Sequence, residues 1–598
     1  CWQTPGRFWP PRPTSPMAGR RTAVGYRQLY DRWLGSAALT DEERRELEAL
    51  SGQEAEIESR FLGPLEFGTA GLRGVMGLGL FRMNRYVVRH ATQAFAQVIL
   101  RESGGDASAA VCYDCRAHSA EFARETACVL AANGIRVRLF EAMRPTPELS
   151  FAIRHYGLTA GVNITASHNP KEYNGYKVYW SDGAQLPPEK AAAIAAVMAE
   201  NDVFDSVKTM DYDEAVRKGL ITLMGEETDA AFLRCVMAES VDGGAVKNVA
   251  GTFKMVYTPF HGTGYRLVPH VLRELGVGHL YCVEEQMTPD GSFPTVASPN
   301  PENPESFALA IEYADRYGAD FILGTDPDAD RVGILVRDKN GAFRPITGNQ
   351  TGVLLLDYLI AAKKRAGTLP ERPVALKTIV TTELARKIAE ANGVKCIDTF
   401  TGFKFMAEKK NALEAAGEGK VFFAYEESYG YMIGDFVRDK DAVTASLLLT
   451  EMAAWYAGRG MTLLDALEAI YEKYGRFAEK TLSLMMPGVK GMANMKALMD
   501  GLRATPPAQI EGTEVQSVTD YLSGEKSEGG RSEPIELKGS NVLRFELVGG
   551  TSVIVRPSGT EPKVKVYILT RGETAAECDE KIARFTRWAQ ALADRYNV

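Results

Sequence analysis

The stretch Ala160-Gly161-Val162-Asn163-Ile164-Thr165-Ala166-Ser167-His168-Asn169-Pro170 decides how the rest of the chain is interpreted. It begins with an apolar run that predicts a buried strand, and the chain then turns sharply at Asn169-Pro170. The turn presents the hydroxyl of Ser167 on a rigid support beside His168. Two interpretations are open: a loop serine that caps a following helix, or a reactive hydroxyl at the end of a strand.

Strands and helices alternate upstream of this stretch. The periodicity predicts helices at 84–102 and 119–133 and strands at 110–113 and 137–140. Such alternation implies crossover connections and a largely parallel sheet. Functional residues of these sheets lie at the carboxyl ends of strands, which is where Ser167 falls.

The same alternation restarts twice downstream. A second round includes predicted strands at 254–257 and 320–323, and a third covers about 347–460 with a strand at 421–424. In each round, the loop with the most unusual residue composition follows one of the last predicted strands. The sequence therefore predicts three related α/β domains in a row.

The two ends of the chain differ from this repeating part. From Tyr26 to about Phe61 a highly charged helical pattern predicts a solvated N-terminal arm. Around Phe477 the alternation stops, and the remainder predicts a smaller α+β domain. Within it we expect a Gly-, Ser- and charge-rich loop at 523–533 and a long closing helix at 574–596.

The composition argues against two classes of function. The 598 residues are 45% apolar and 24% charged, as in ordinary globular proteins, and the length predicts about three to five domains. A net charge of −8 and a pI near 5.7 disfavour a general nucleic-acid binder. No apolar run would span a bilayer, and the strongest one, 445–458, is interrupted by Glu451 and predicts a core helix.

The cysteines predict a reducing compartment. Eight of them are spread along the chain, which is typical of free thiols rather than a disulfide framework. Cys112 and Cys115 form a C-x-x-C pair with no second Cys/His pair nearby, so a zinc or redox role is disfavoured.

The Pro-rich segment 1–16 lacks the apolar core of a signal peptide, and we expect the native start at Met17 and a cytoplasmic protein.

A second loop carries three aspartates: Gly324-Thr325-Asp326-Pro327-Asp328-Ala329-Asp330-Arg331. Carboxylates this close repel each other and need a cation, and oxygen ligands select magnesium or calcium. An EF-hand is excluded, because its sixth position should be glycine and is Arg331, and its twelfth should be glutamate and is Arg337. An exposed acidic turn is the remaining alternative, but a strand leading straight into the loop favours a metal site.

Three further loops offer weaker signals. The closely spaced glycines of 66–74, with Arg73 as their one cation, are compatible with an anion site. Tyr425-Glu426-Glu427-Ser428-Tyr429-Gly430 suits sugar hydroxyls, although charged loops are often only solvated faces. Arg556-Pro557-Ser558-Gly559-Thr560-Glu561-Pro562 is either a phosphate nest or a Pro/Gly turn between strands.

In this order, the loops resemble those of the α-D-phosphohexomutase superfamily. The resemblance rests on TASHNP with a following YNGYK, GTDPDADR, EESYG and RPSGT, and it covers about 63–587. FGTAGLRG, YTPFHGTG, TGFKF and VRDKDAV are similar to the phosphoglucomutase and phosphopentomutase branch.

The resemblance implies three related α/β domains with mixed, mostly parallel sheets and a C-terminal α+β domain similar to TATA-binding-protein folds, around a central cleft. The expected limits are an N-terminal extension and helical arm at 1–62, domain I with the phosphoserine loop at 63–203, domain II with the metal loop at 226–340, domain III with the sugar-binding loop at 345–475 and domain IV with the phosphate-binding loop at 482–598.

The resemblance also implies roles for individual residues. Ser167 matches the phosphoserine, and Asp326, Asp328 and Asp330 match magnesium ligands, with a phosphoserine oxygen completing the protein's share. Lys177 matches a proposed general base. The transfer site would be lined by Arg73, His168, Arg331 and Lys440, and the substrate held by Thr401, Gly402, Glu426, Ser428, Arg556, Ser558, Gly559, Thr560 and Lys565.

The implied activity is reversible movement of phosphate between the 1-position and the terminal carbon of a sugar. We expect interconversion of glucose 1-phosphate and glucose 6-phosphate through glucose 1,6-bisphosphate, which would also be an activator, with Mg²⁺ as cofactor. The alternatives are a phosphopentomutase, a phosphomannomutase, a sugar-bisphosphate synthase or a non-catalytic phosphosugar-binding protein. The expected partner is a small phosphosugar, with no nucleic acid, membrane or obligate protein partner.

Physical chemistry supports this assignment, and departures from the family's pattern bear on the loops. A phosphoserine carries a charge of roughly −1.5 to −2, which three aspartates would not tolerate without a cation. Pro327 and Ala329 replace glycines of many relatives and should stiffen the aspartate loop, while Tyr425, also a glycine in many relatives, leaves the preferred sugar open. Burial should lower the pKa of Lys177, so that it could accept a proton.

Overall fold

The structure is a computed structural model that describes residues 25–68, 71–486, 491–558 and 563–596. The segment 1–16, Met17, Gly559 and Thr560 lie outside the described residues. The described residues divide into two compact units, one of 25–65 with Gly77–Arg82 and the other of the remaining described residues.

The first unit contains three short helices: α1 (Tyr26–Leu34), α2 (Asp41–Glu48) and α3 (Glu54–Phe61). Helix α2 begins with a capping box, in which the side chains of Thr40 and Glu43 each accept from the other residue's backbone N–H. Trp33, Leu47 and Phe61 are buried. The predicted helical character of this segment is present, but its predicted solvation is wrong, because apolar side chains of all three helices are buried.

The first sheet of the second unit holds six strands in the order β1-β5-β4-β2-β3-β6. Strands β4, β2, β3 and β6 run parallel, and β5 pairs antiparallel with both β1 and β4. The elements are β1 (Leu72–Val75), α4 (Arg85–Ser103), β2 (Ser108–Tyr113), α5 (Ser119–Ala132), β3 (Arg136–Phe140), α6 (Thr146–His155), β4 (Ala160–Ile164), β5 (Tyr173–Trp180), α7 (Pro188–Glu200), α8 (Tyr212–Arg217) and β6 (Ile221–Met224).

The second sheet has the order β11-β10-β9-β7-β8, with β9, β7 and β8 parallel and β10 antiparallel to both neighbours. Its elements are α9 (Glu226–Ala238), α10 (Gly244–Asn248), β7 (Lys254–Thr258), α11 (Gly264–Leu275), β8 (His279–Cys282), two 3₁₀ turns (Glu284–Gln286 and Pro304–Phe307), α12 (Ala308–Tyr317), β9 (Phe321–Thr325), β10 (Val332–Arg337) and β11 (Phe343–Ile346).

The third sheet has the order β13-β12-β14-β15, parallel except for the last pair. Its elements are α13 (Gly348–Ala366), β12 (Pro373–Thr378), α14 (Leu384–Ala391), β13 (Lys395–Thr399), α15 (Phe403–Ala415), β14 (Lys420–Glu426), β15 (Gly430–Ile433), α16 (Ala442–Ala457) and α17 (Leu463–Tyr474). Helix α16 is the predicted core helix. One apolar cluster joins it to α11 and β14, so the second and third sheets share a core.

Glu451 of α16 is fully buried, and its carboxylate is satisfied by polar neighbours. It accepts hydrogen bonds from the hydroxyl of Tyr358 and the backbone N–H groups of Val241 and Asp242. This explains how a charged residue interrupts an apolar run without ending the helix.

The fourth sheet has the order β16-β23-β22-β21-β18-β19-β20, with β17 paired to β18, and it is antiparallel throughout the described pairs. Its elements are β16 (Arg476–Met485), α18 (Gly491–Ala504), β17 (Gln509–Ile510), β18 (Thr513–Asp520), β19 (Glu525–Glu528), β20 (Arg531–Pro534), β21 (Leu543–Leu547), β22 (Thr551–Pro557), β23 (Lys563–Gly572) and α19 (Ala575–Tyr596). Helices α18 and α19 pack with β22 and β23 in one core.

The predicted loop at 523–533 is wrong. Strands β19 and β20 form a hairpin there, with Ser527 opposite Ser532. This ribbon is largely exposed, so its polar composition reflects solvent contact rather than lack of structure. The α/β class with mixed, mostly parallel sheets and a C-terminal α+β part is confirmed. None of the described helices is both long and apolar enough to cross a membrane.

Candidate active site

Ser167 lies three residues beyond the end of β4, in a turn that leads to β5. Its backbone is left-handed, with φ of 52°, and its N–H donates to Thr165 Oγ1 at 2.8 Å. The helix-cap interpretation is wrong, because the next element is a strand. Instead, Ser167 Oγ donates to Asp326 Oδ2 at 2.7 Å and lies 3.3 Å from His168 Nδ1. The turn after β4 of the first sheet therefore places Ser167 in contact with the aspartate loop.

The aspartates Asp326, Asp328 and Asp330 follow β9 and are buried, each with a carboxylate oxygen within 4.8 Å of the others. Asp326 Oδ1 accepts the N–H groups of Asp330 and Arg331 at 3.1 and 3.0 Å, which closes the loop on itself. Ala329 adopts φ of 49°, a conformation that favours glycine. The substitution expected to stiffen the loop thus also places a side chain at a strained position.

Two lysines, one on β5 and one in the segment between β15 and α16, contribute positive charge to this loop. Lys177 Nζ on β5 donates to Asp328 Oδ2 at 2.6 Å and to Asp330 Oδ2 at 3.2 Å. Lys440 Nζ lies 3.2 Å from the same Asp330 oxygen. Burial raises the pKa of Asp330, but these two lysines and Arg331 outweigh burial and hold the pKa below its usual range.

The predicted lowering of the pKa of Lys177 is wrong for this arrangement. Burial does lower the pKa, but the charges of Asp328 and Asp330 outweigh burial and leave it above its ordinary value. For Asp326, burial together with its two aspartate neighbours raises the pKa well above the usual range. The loop thus contains one carboxylate, Asp330, that is paired with cations and favours its ionised form, and one, Asp326, that favours its protonated form.

The described donors do not satisfy all of the carboxylate oxygens. Asp328 Oδ1 and Asp330 Oδ1 are buried and have no hydrogen-bond partner within the described parts of the chain. Unpartnered buried carboxylate oxygens are costly, and hard oxygens at this spacing are the donor set that Mg²⁺ prefers. The residues present therefore fit a divalent cation.

Further basic side chains border the serine turn. Arg331 Nη1 donates to Glu302 Oε1 at 2.7 Å, and Arg73 Nη1 donates to Asn169 Oδ1 at 3.0 Å. Burial and the charges of Arg331 and Arg73 hold the pKa of His168 well below its usual range, so the imidazole is neutral at neutral pH. The structure brings all three predicted residues next to Ser167 or the aspartate loop.

The third sheet contributes Glu426, at the end of β14. Its carboxylate accepts the N–H of Gly402 at 2.5 Å and the hydroxyl of Ser428 at 3.3 Å. Burial lowers the pKa of Lys440 and of Arg331, but neighbouring carboxylates, Glu426 among them, raise both overall, so Glu426 lies within electrostatic reach of two cations beside the aspartates. Thr401 Oγ1 is buried and has no hydrogen-bond partner among the described residues.

The Tyr425 ring is packed in the core of the third sheet and not among the groups around the Glu426 carboxylate. The ring is buried beside Phe423 and Tyr431, with centroid distances of 5.4 and 6.5 Å. A Cβ on Gly352 would lie 2.0 Å from the Tyr425 ring, so glycine there makes room for the tyrosine. The Tyr425 substitution therefore alters the core of the third sheet rather than the sugar loop.

The predicted phosphate loop connects β22 to β23. Arg556 lies opposite Lys565 in that pair, and the N–H of Ser558 donates to Lys563 O at 2.8 Å. The predicted contacts of Gly559 and Thr560 lie outside the described residues. The positive charge of Lys565 acts on Glu427 of the sugar loop, whose pKa burial and Glu426 raise to about 6. The role of the loop as a phosphate clamp stays a prediction.

Known proteins match this chain along most of its length. Four family models match in order: Phosphoglucomutase/phosphomannomutase, alpha/beta/alpha domain I at 64–204, domain II at 232–341, domain III at 347–474 and the C-terminal domain at 504–585. Two proteins named phosphoglucomutase, from Staphylococcus aureus (strain MRSA252) and Staphylococcus saprophyticus, are both 36% identical; alignments cover 89% and 88% of this chain and 94% of each relative.

The chain belongs to the phosphoglucomutase/phosphomannomutase family. Solved structures agree on the fold. A putative phosphomannomutase from Thermus thermophilus has a TM-score of 0.66 at 22% identity, covering 89% of this chain and 99% of that one. The open form of pp63/parafusin from Paramecium has a TM-score of 0.65 at 19% identity, covering 88% and 94%.

Two residues of this family member were missed by the sequence reasoning. Thr146, at the start of α6, donates its hydroxyl to Asp328 Oδ2 at 2.7 Å and its N–H to Asp328 O at 2.8 Å. Asp439 accepts from the hydroxyl of Tyr179 at 2.9 Å and from the N–H of Lys440 at 2.8 Å. Thr146 could have been found, because it follows the carboxyl end of β3 in the parallel part of the sheet.

Proposed function

We propose that this chain is a phosphoglucomutase that interconverts glucose 1-phosphate and glucose 6-phosphate through a phosphoserine at Ser167 and a glucose 1,6-bisphosphate intermediate. The observation that carries the proposal is the 2.7 Å hydrogen bond from Ser167 Oγ to Asp326, within a buried group of three aspartates. The name of the Staphylococcus relatives supports the choice of sugar.

The three aspartates and a phosphate oxygen on Ser167 would hold Mg²⁺, which supplies charge neutralisation for the phosphoryl group. Around them, Arg331, Arg73 and His168 would bind the peripheral phosphoryl oxygens, where charge develops during transfer. Lys177 would hold or accept the proton of the sugar hydroxyl. It can act as a base only after its pairing with Asp328 and Asp330 is weakened, because these carboxylates hold its pKa up.

The third and fourth sheets would orient the sugar. Glu426 and Ser428 offer an acceptor and a hydroxyl to sugar OH groups, with Thr401 and Gly402 beside them. We assign the non-reacting phosphate to the Arg556 loop, through Arg556, Ser558, Gly559, Thr560 and Lys565. Lys440 would balance the charge of Asp330 during the exchange.

The first experiment tests the phosphoserine. Purified wild-type protein and Ser167→Ala are incubated with glucose 1,6-bisphosphate and Mg²⁺, and intact-mass spectrometry follows phosphate on the protein. We expect one phosphate on the wild type, none on the variant, and loss of mutase turnover in the variant. Retained turnover in Ser167→Ala would refute the mechanism, and no phosphate on either protein would favour a non-catalytic binder.

The second experiment tests the sugar. Turnover of glucose 1-phosphate, ribose 1-phosphate and mannose 1-phosphate is compared at matched concentrations, with and without the 1,6-bisphosphate activator. We expect the highest kcat/KM for glucose 1-phosphate, and a higher value for either other sugar would move the assignment to that mutase. All seven cysteines of the described residues are free, which fits the cytoplasmic location that we propose.

A further inference from the structure

Arg116 lies beside the serine turn and belongs to none of the motifs quoted above. It follows β2, and Ser167 follows β4, and these strands pair in parallel with Tyr113 opposite Ile164. Both residues therefore stand three positions beyond the same register pair. Carboxyl ends of adjacent parallel strands meet at one edge of the sheet, which brings Arg116 under the turn.

The Arg116 guanidinium is buried and donates only to the main chain of this turn among its described hydrogen-bond acceptors. Nη2 donates to the carbonyl of Ser167 at 2.6 Å and to that of Asn169, while Nη1 donates to Pro170 O at 2.8 Å and Tyr173 O at 3.0 Å. Four carbonyls converging on one planar cation fix the path of the turn.

Arg116 is itself held from two directions. Its backbone N–H donates to Asp114 Oδ1 at 2.9 Å, and its side-chain Nε lies 3.4 Å from Asp114 Oδ2. From the second sheet's side, Phe293 packs its ring 5.2 Å from the guanidinium, and Gly291 lies so close that a Cβ there would be 2.7 Å from Arg116 Cα. The side chain therefore has little freedom to move away from the turn.

We propose that Arg116 is a positioning residue for phosphate transfer, which holds Ser167 in its left-handed conformation so that Oγ points at the aspartate loop. This rests on the proposed function. A left-handed serine costs free energy, and the hydrogen bond from Nη2 to the Ser167 carbonyl orients the same peptide unit that sets the side-chain direction. Lysine cannot replace the planar fork, since one ammonium cannot reach four spread carbonyls.

The test compares Arg116→Lys with Arg154→Lys. Arg154 is the matched control, because it also donates to main-chain carbonyls, of Asp182 at 2.8 Å and Asp435 at 3.2 Å, outside the serine turn. Single-turnover transfer of phosphate from glucose 1,6-bisphosphate to Ser167 is followed by quenched-flow mass spectrometry, well below the melting temperature of each protein. Bisphosphate affinity is measured by calorimetry.

We expect transfer in Arg116→Lys to slow by about 100-fold, with bisphosphate affinity within a few-fold of wild type, because misplacement of a reacting group acts on the chemical step. Arg154→Lys should lose stability but keep its transfer rate. Equal transfer rates in wild type and Arg116→Lys would overturn the proposal and leave Arg116 a stabilising residue only.

Hydrogen–deuterium exchange separates this inference from the function. The peptide covering 165–173 should exchange faster in Arg116→Lys than in wild type or Arg154→Lys, whether or not the protein is a mutase. If wild type accepts no phosphate, the proposed function fails while faster exchange still supports the holding of the turn. Unchanged exchange of that peptide in Arg116→Lys overturns the positioning role directly.

Discussion

The aspartate loop and the sugar loop of this protein are built in different ways. Asp328 and Asp330, which follow β9 of the second sheet, meet side chains from the parts of the chain that carry the first and third sheets: Thr146 and Lys177 from the first and Lys440 from the third. Around Glu426, the hydrogen bonds are local to the third sheet, from Gly402 and Ser428. On the proposed function, this difference would mean that the half proposed to transfer phosphate is organised before substrate binds, whereas the half proposed to hold the sugar keeps groups available for a ligand.

The largest expected effect is that of Lys177→Met, which removes the cation between two buried aspartates. Activity should fall by about 1,000-fold, the range for loss of an acid–base group. The metal-free protein should melt several degrees lower, since breaking a buried ion pair costs about 3 to 5 kcal/mol. Added Mg²⁺ should restore much of the melting temperature, because it can neutralise the same carboxylates.

Lys410→Met is the matched control for that experiment. Lys410, on helix α15, is also buried and pairs with Glu414 and Asp435, each at 2.7 Å. Its loss should lower the melting temperature without recovery by Mg²⁺. Equal recovery by Mg²⁺ in both variants would mean that the aspartate loop is not where the metal binds.

A smaller effect is expected when the hydrogen bond from the Thr146 hydroxyl to Asp328 is removed. Thr146→Val keeps the shape of the side chain but removes the hydroxyl that donates to Asp328 Oδ2. We expect Mn²⁺ affinity, measured by electron paramagnetic resonance, to fall about 10- to 100-fold, as for other residues that orient metal ligands. Thr146→Ser should retain nearly full affinity, and an equal loss in both variants would assign the effect to packing.

The sugar loop should respond in binding more than in chemistry. Glu426→Gln keeps the side chain's size but weakens its hydrogen bonds, so KM for glucose 1-phosphate should rise about tenfold with a smaller change in kcat. Steady-state kinetics with saturating bisphosphate measures both. An equal fall in kcat and kcat/KM would show that Glu426 acts in the transition state and would remove the contrast between the two loops.

The smallest effect concerns the stability contribution of Glu427. Burial and Glu426 raise its pKa to about 6 in the folded protein, above the ordinary value of 4.5, so the ionised form is penalised by folding. The penalty is present above about pH 6 and disappears as pH falls toward 4.5. Glu427→Gln should therefore be more stable than wild type by on the order of 1 kcal/mol at pH 8.

Thermal or denaturant unfolding at several pH values measures this difference. It should be constant above about pH 6, shrink as pH falls from about 6 through 4.5, and vanish below that, where wild-type Glu427 is protonated in both states. A difference that stays constant with pH would mean that the substitution acts through packing or through the Thr378 and Thr381 hydroxyls, which both donate to Glu427.

Local patterns predicted most elements of the repeating part. The apolar run before Ser167 is β4 at Ala160–Ile164, and the apolar stretch around Glu451 is helix α16. Both carry strong periodicity that does not depend on distant residues. The hairpin of β19 and β20 was missed because exposed polar strands lack the apolar alternation from which strands are recognised.

The sequence alone determined which chemistry was available: a serine at a strand end, three closely spaced carboxylates, and glycine-rich loops with cations. Tertiary structure decided how these groups act on one another. The pKa of Lys177 is raised because the fold brings Asp328 and Asp330, which follow a strand of another sheet, next to it. The Tyr425 ring lies in the core because Gly352 leaves space for it. The role of Arg116 emerged only in three dimensions, since its partners in the serine turn lie about 50 residues away in the chain. Electrostatic interaction and hydrogen bonding depend on separation in space, which local sequence patterns do not contain.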